Sequence, residues 1–235
     1  MTKPILSSKV TEELTNRILR GDLRPGTLLP SERDMQVEFQ VSRPVIREAI
    51  KTLAAKGLVS ITGQGTLVMA DYTAPVLESL TLLLRHSQVN TDDILETRLL
   101  LEPLVASLAA VQATTLQVRH LRTANQKLIE LHESYSEQVD NKSAEMWFTQ
   151  DAQFHSMLAQ STLNPVLPVL VQLIVGVLWR ERWTTYANLP PAHRVMVTDG
   201  HAAVIDAVEK HQPETAAQTM HDHISYTKGF IAKNR

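Results

Sequence analysis

In "DAQFH", Asp151 and His155 stand four positions apart. On a helix that spacing stacks a carboxylate and an imidazole on one face. Two more histidines fall on apolar-periodic segments. His201 begins "HAAVIDAV", and in "TAAQTMHDHISYTKGFI" the residues Ala216, Met220, His223 and Thr227 share a face. That periodicity turns His223 inward and leaves His221 facing elsewhere. His86, His120, His132 and His211 lie in polar surroundings with no partner in sequence. One Asp and three inward His are four hard-to-borderline ligands, a set that suits Zn²⁺ and also Ni²⁺, Mn²⁺ or Fe²⁺. A plainer arrangement pairs Asp151 with a nearby base and satisfies each histidine separately, because buried imidazoles need partners in either case. Spacing alone leaves both open.

Two further segments carry groups suited to binding a small molecule. "WRERW" (179–183) places Trp179 and Trp183 on one helical face while Arg180 and Arg182 diverge. An arginine there can meet a polyhydroxylated or dianionic ligand with Trp183 packed on its carbon skeleton; an interface Trp pair with exposed arginines fits equally well. Asn164, in "STLNPVL", either lines such a pocket or caps the next helix.

The elements that must position these groups are helical. From Val76 onward apolar residues recur at helical spacing, as in Leu77, Leu80, Leu83 and Leu84 and in "ILETRLLLEPLVASLAA", and strand-like alternation is absent. We expect an all-α bundle of six or seven helices over 76–235. "PVLPVLVQLIVGVLW" is interrupted by Pro168 and followed by Arg180, Glu181 and Arg182, so it reads as a buried helix and not a membrane span. With no Cys, disulfide and thiol chemistry are excluded. With no hydrophobic leader segment in "MTKPILSSKV", a cytoplasmic location is expected.

The first 70 residues read differently. They carry ten basic and seven acidic side chains, whereas the remainder carries 13 and 18. A small basic head thus sits on an acidic body. A first helix is expected at about Lys9 to Leu19. Ser31, followed by Asp34 in a capping-box arrangement, starts a second. Ser42 starts a third, with Pro44 harmless in its first turn. On that third helix Val45, Ile46, Ala49, Ile50 and Leu53 form the core side, and Arg43, Arg47 and Lys51 recur every four residues on another side. "GLVSITGQGTLVM" reads as a hairpin about Gly63 to Gly65. Helix, turn, basic helix and hairpin form the winged helix-turn-helix pattern of DNA-binding proteins. "ADYTAP" (70–75) is a polar break, with the linker at 71–75.

These motifs carry a family resemblance. "PGTLLPSER", "VSRPVIREA" and "GLV" strongly resemble the winged helix-turn-helix of the GntR family of bacterial transcription regulators. The resemblance implies a homodimer on a palindromic operator, with DNA contacts from Arg33, Ser42, Arg43 and Arg47, joined by Lys51 and by Gln64 and Gly65 of the wing. The wing turn "ITGQGT" is a residue shorter than the family's usual one. "TRLLLEPLVASLAA", "DAQFHSMLAQSTLNPVL", "HAAVIDAV" and "AAQTMHDHI" look like the successive motifs of the FCD ligand-binding domain of the FadR subfamily. That resemblance implies a divalent metal, zinc first, on Asp151, His155, His201 and His223. Gly200 departs from it, since the family often has Glu there. It also implies an inward Arg98 as counter-charge to a small carboxylate effector, against an intrahelical surface pair with Glu102. The run "ERWTTYANLP" resembles regulators that respond to sugar acids, and that resemblance ranks a sugar acid first among effectors. The expected function is a metabolite-responsive regulator, a repressor, that is not an enzyme. The competing readings are a metalloenzyme built on the same four ligands and a metal-free regulator of acyl-thioesters.

Overall fold

The computed structural model describes residues 3–70, 73–87, 89–135, 140–186 and 190–233, with the side chains at 3–5, 73–74, 85, 141 and 177–186 outside that description. The chain divides into two compact units, Met1–Ser79 and Leu80–Arg235.

The first unit contains α1 (Lys3–Arg20), α2 (Glu32–Phe39), α3 (Arg43–Ala55), and the strands β1 (Val59–Thr62) and β2 (Gly65–Val68). Helix α1 starts six residues before the expected Lys9. Val10, Leu14 and Ile18 of α1 meet Met35 of α2 and Val45, Ile46, Ala49, Ile50 and Leu53 of α3 in one core. The strands pair antiparallel from Val59↔Val68 to Thr62↔Gly65. The turn is therefore Gly63–Gln64, and Gly65 sits at φ 138°, a conformation open to glycine alone. The turn-rich connection before α2 does more than turn. Leu28 bridges Leu67, and Leu29 N–H donates to Thr66 at 2.7 Å, so it forms a third rung on the wing.

Caps set where the reading helices begin. Ser31 Oγ accepts the Asp34 N–H at 3.2 Å, but the Asp34 carboxylate accepts the Ser31 hydroxyl at 2.6 Å instead of closing a capping box on the backbone. Ser42 has N-cap backbone geometry yet makes no side-chain cap bond.

Helix α4 (Thr73–His86) spans the boundary between the units, so residues 73–75, expected in a linker, form its first turn. The second unit continues with α5 (Thr91–Gln112), α6 (Thr115–Ser134), α7 (Asn141–Gln160), α8 (Val166–Tyr186), α9 (Pro191–Glu209) and α10 (Pro213–Lys233). Helix α5 is central and packs against α7, α8, α9 and α10. Capping boxes at Asn90/Asp93 and Thr114/Gln117 fix the starts of α5 and α6. The fold is mainly α, with a winged helix-turn-helix followed by an all-α bundle, as expected. His201 does not begin its helix: α9 starts ten residues earlier, and its first turns bury His193, Arg194, Val197 and Thr198. Among the described residues no helix is long and apolar enough to cross a membrane.

Candidate metal centre and DNA-reading face

The metal-suited residues come together at the centre of the second unit. Helix α7 supplies Asp151 and His155, α9 supplies His201, and α10 supplies His223. His155, His201 and His223 are buried, and each offers a ligand nitrogen within 4.8 Å of the others. Asp151 completes the cluster, with Oδ1 3.5 Å from His201 Nε2 and Oδ2 4.0 Å from His155 Nε2. Phe154 stacks on the His201 ring at 3.8 Å between centroids and holds its plane.

Burial, then the neighbouring histidines and Arg98, pushes His201 and His223 far below the usual histidine range, so both rings are neutral at pH 7. Burial raises the Asp151 carboxyl, against the opposing pull of His155 and Arg98. Both nitrogens of His201 and Nδ1 of His223 have no hydrogen-bond partner. Neutral, buried imidazoles with free lone pairs beside a carboxylate fit a divalent cation. Separate hydrogen bonds, the plainer arrangement, do not account for these orphaned nitrogens.

Sequence reasoning assigned no role at the site to Glu102, one of the residues that orient it. Its Oε2 lies 2.5 Å from His155 Nδ1, and its Oε1 accepts from Arg98 Nε. Burial pushes the Glu102 carboxyl up, but Arg98 and His155 outweigh burial and hold it well below the usual carboxylate range. A carboxylate on Nδ1–H fixes the tautomer that frees Nε2 for a metal. Arg98 and Glu102 are 3% and 2% exposed. The pair is thus intrahelical and also inward, and the surface setting considered for it is excluded. Arg98 Nη2 stands 3.1 Å from His155 Nε2, beside the ligand nitrogens.

Gly200 shapes the site by close approach. A Cβ at this position would lie 2.5 Å from Nδ1 of His223, so the His223 ring occupies the room that a side chain needs.

Of the other expected effector residues, Asn164 has a described side chain. Asn164 is exposed, and its Oδ1 accepts the Val166 N–H at 3.0 Å, the capping role of the two expected for it. Arg180, Arg182 and Trp183 lie outside the described side chains.

In the first unit Arg33, Ser42, Arg43, Arg47 and Lys51 are all exposed on α2 and α3, and Gln64 and Gly65 are exposed at the hairpin tip. One carboxylate organises the two central arginines. Glu32 Oε2 accepts from Arg43 Nε at 2.7 Å, and Oε1 lies 3.6 Å from Arg47 Nε. The short wing turn is built by Thr62, whose Oγ1 donates to the Gly65 carbonyl at 2.9 Å and accepts the Gln64 N–H.

Fold and site together define a class: a winged helix-turn-helix DNA-binding protein with a separate α-helical domain. Comparison with known proteins gives the family. Residues 6–68 match the model of the bacterial regulatory proteins, gntR family, and residues 93–226 match that of the FCD domain. The chain belongs to the GntR family of transcription regulators, in its FCD-containing FadR subfamily.

The chain is 33% identical over 208 residues to the uncharacterized HTH-type transcriptional regulator YieP of Escherichia coli K12, covering 86% of this chain and 85% of that one. It is 29% identical over 224 residues to the HTH-type transcriptional repressor NanR of E. coli K12, covering 94% and 82%. A Streptococcus agalactiae GntR structure shares the fold, with a TM-score of 0.70 at 24% identity over 94% of this chain and 98% of that one. E. coli McbR/YncC also shares it, at 0.52 and 16%, with 97% of each chain covered. The protein is a DNA-binding transcription regulator and not an enzyme.

Proposed function

We propose that the second unit binds a divalent metal through Asp151, His155, His201 and His223, and that this metal with Arg98 captures a small carboxylate whose arrival changes operator binding. Zinc is the first expectation and nickel, manganese or iron the alternatives. The observation that carries the reading is the buried trio His155, His201 and His223, in which the neutral His201 and His223 hold orphaned nitrogens, flanked by Asp151 and by a guanidinium. A bound metal supplies a Lewis-acidic centre for a carboxylate oxygen. The chain's own residues do the rest. Glu102 orients His155 and holds Arg98 in place, so that the Arg98 guanidinium stands beside the ligand nitrogens, where it can share a carboxylate with the metal. The same donor set speaks against a metal-free acyl-thioester site.

In this reading Arg43 and Arg47 contact bases or phosphates in the major groove, Arg33, Ser42 and Lys51 hold the helix on the backbone, and Gln64 and Gly65 bring the wing to the adjacent groove. The chain acts as a homodimer on a palindromic operator in the cytoplasm. Repression is favoured by the likeness to a relative named as a repressor. A sugar acid is the preferred effector class. An acid shifts operator affinity only through a difference in its own affinity for the two arrangements of the dimer. The test is fluorescence anisotropy of an operator fragment with zinc-loaded protein, titrated with hexonic and short hydroxy acids. We expect an acid-dependent change of at least about tenfold, lost on chelation. No acid dependence in metal-loaded protein contradicts the reading.

A further inference from the structure

The interior of the second unit holds polar groups that the metal cluster does not use. Arg194 of α9 is 3% exposed, and its Nε and Nη1 have no hydrogen-bond partner. Among the described residues no carboxylate pairs with it; its Cζ lies over the Tyr135 ring at 5.6 Å. Asn125 of α6 donates from Nδ2 to the Thr198 carbonyl at 3.0 Å, which leaves its buried Oδ1 without a donor. Trp147 of α7 is buried with an unpartnered Nε1–H. Burying a guanidinium, an amide and an indole N–H with open valences is costly, and native interiors rarely do it without a ligand or water to complete them.

Contacts bring Arg194 and Asn125 into one stretch of the interior, and position along α7 sets Trp147 on the same side of the metal cluster. Tyr135 follows the end of α6, and its hydroxyl donates to the Ser143 carbonyl in the first turn of α7 at 2.7 Å. Arg194, over that ring, therefore lies toward the N-terminal end of α7. Trp147 stands on the same side of Asp151, one turn back along α7. On α9 the path runs the same way, from His201 through Thr198, which Asn125 holds, to Arg194. Seven residues separate His201 from Arg194, about 10 Å along the helix.

We propose that Arg194, with Asn125 and Trp147, forms a second anion subsite about two helical turns from the metal centre. The ligand is then an extended polyhydroxylated acid with a negative group at each end, a hexaric dicarboxylate or a phosphorylated hexonic acid. The proposal rests on the reading that the metal end takes a carboxylate. Arg194 takes the far anion through its fork of N–H donors. Intermediate hydroxyls donate to Asn125 Oδ1 and accept from Trp147 Nε1–H. Hydroxy acids of two or three carbons are too short to engage both ends.

The test is isothermal titration of the zinc-loaded, full-length protein with four kinds of acid: hexaric acids (glucarate and galactarate), 6-phosphogluconate, the hexonic acids gluconate and galactonate, and lactate. We expect a dianion to bind at least about tenfold more tightly than its hexonic counterpart. The hexaric and phosphorylated arms tell a far carboxylate from a far phosphate. Arg194→Met should abolish the preference while leaving zinc content and hexonic affinity in place. If that variant does not fold, Arg194→Lys, which keeps the charge but loses the fork, should still reduce the preference. Equal binding of mono- and dianions by the wild type, or full preference in a folded Arg194 variant, overturns the subsite and leaves the metal-end reading standing. Failure of every acid to bind zinc-loaded protein overturns both.

Discussion

Glu102 Oε2 lies 2.5 Å from Nδ1 of His155, and both side chains are buried. Metal-facing histidines are oriented by such carboxylates, and losing one typically costs about 10–100-fold in metal affinity. Glu102→Gln should therefore weaken zinc binding by about that factor, read by competition with a chromogenic chelator. Glu102→Ala should also lower stability by about 3–5 kcal/mol, because it leaves Arg98 buried without its carboxylate. Wild-type zinc affinity in Glu102→Gln would remove Glu102 from the site.

The close approach at Gly200 gives a second prediction. Gly200→Ala places a methyl 2.5 Å from the present position of His223 Nδ1, so the ring must move. Zinc affinity should fall by at least about tenfold while the chain stays folded, since helix α9 itself favours Ala over Gly by roughly 1 kcal/mol. Unchanged affinity would show that His223 moves freely.

On the DNA-reading face, Glu32 holds Arg43 and Arg47 in the free protein, but both arginines are more than 60% exposed. Such pairs contribute little to stability, so their rearrangement on DNA costs little. Arg43→Ala or Arg47→Ala should each weaken operator binding by about 1–3 kcal/mol. Glu32→Gln should tighten binding to a non-specific duplex, with a steeper salt dependence. Anisotropy across a salt series measures both, and indifference of the arginine variants would move the reading face elsewhere.

Burial pushes His193, which packs against the rings of Tyr226 and Phe230, down to about 4. The unfolded chain carries this group near 6.5. The unfolded state thus binds a proton that the folded state refuses between these values. The His193 contribution is intact above about pH 6.5, declines as pH falls, and is lost below about pH 4, to the extent of about 3 kcal/mol. Denaturant melts of chelated wild type and His193→Phe, compared across that window, isolate this slope. Parallel pH dependence in the two proteins would contradict it.

Leu100, Leu104, Leu108 and Val111 form an exposed apolar stripe on α5, and Val166, Val169 and Leu170 are exposed on α8, which packs against α5. A contiguous apolar face of this kind marks an interaction site, and the homodimer reading assigns it to a second copy. Leu104→Glu should shift sedimentation toward monomer and weaken palindrome binding without unfolding the domain. A fully dimeric variant would place the dimer contact on another surface.

The fold was legible because its helices announce themselves by periodicity and caps. Met35 and the α3 core positions sit inward as their spacing dictates, and Ser31 caps α2. The histidines of the metal centre were legible for the same reason, as inward positions on helices. What periodicity hides is an inward face that is itself polar. The first turns of α9 bury His193, Arg194 and Thr198, so an apolar count starts that helix too late, at His201. Arg98 and Glu102 form an i,i+4 ion pair whose spacing looks the same in sequence whether it faces water or the core; only the family resemblance points Arg98 inward. Asn164 illustrates the reverse, a polar residue before Pro165 whose work is local capping.

Metal content is the most direct test of the Asp151, His155, His201 and His223 centre. Protein purified, incubated with zinc and dialysed should hold one zinc ion per chain by elemental analysis, and His201→Ala and His223→Ala should hold almost none while retaining helical circular dichroism. A wild-type chain without bound metal, or folded variants that keep the full complement, would contradict it.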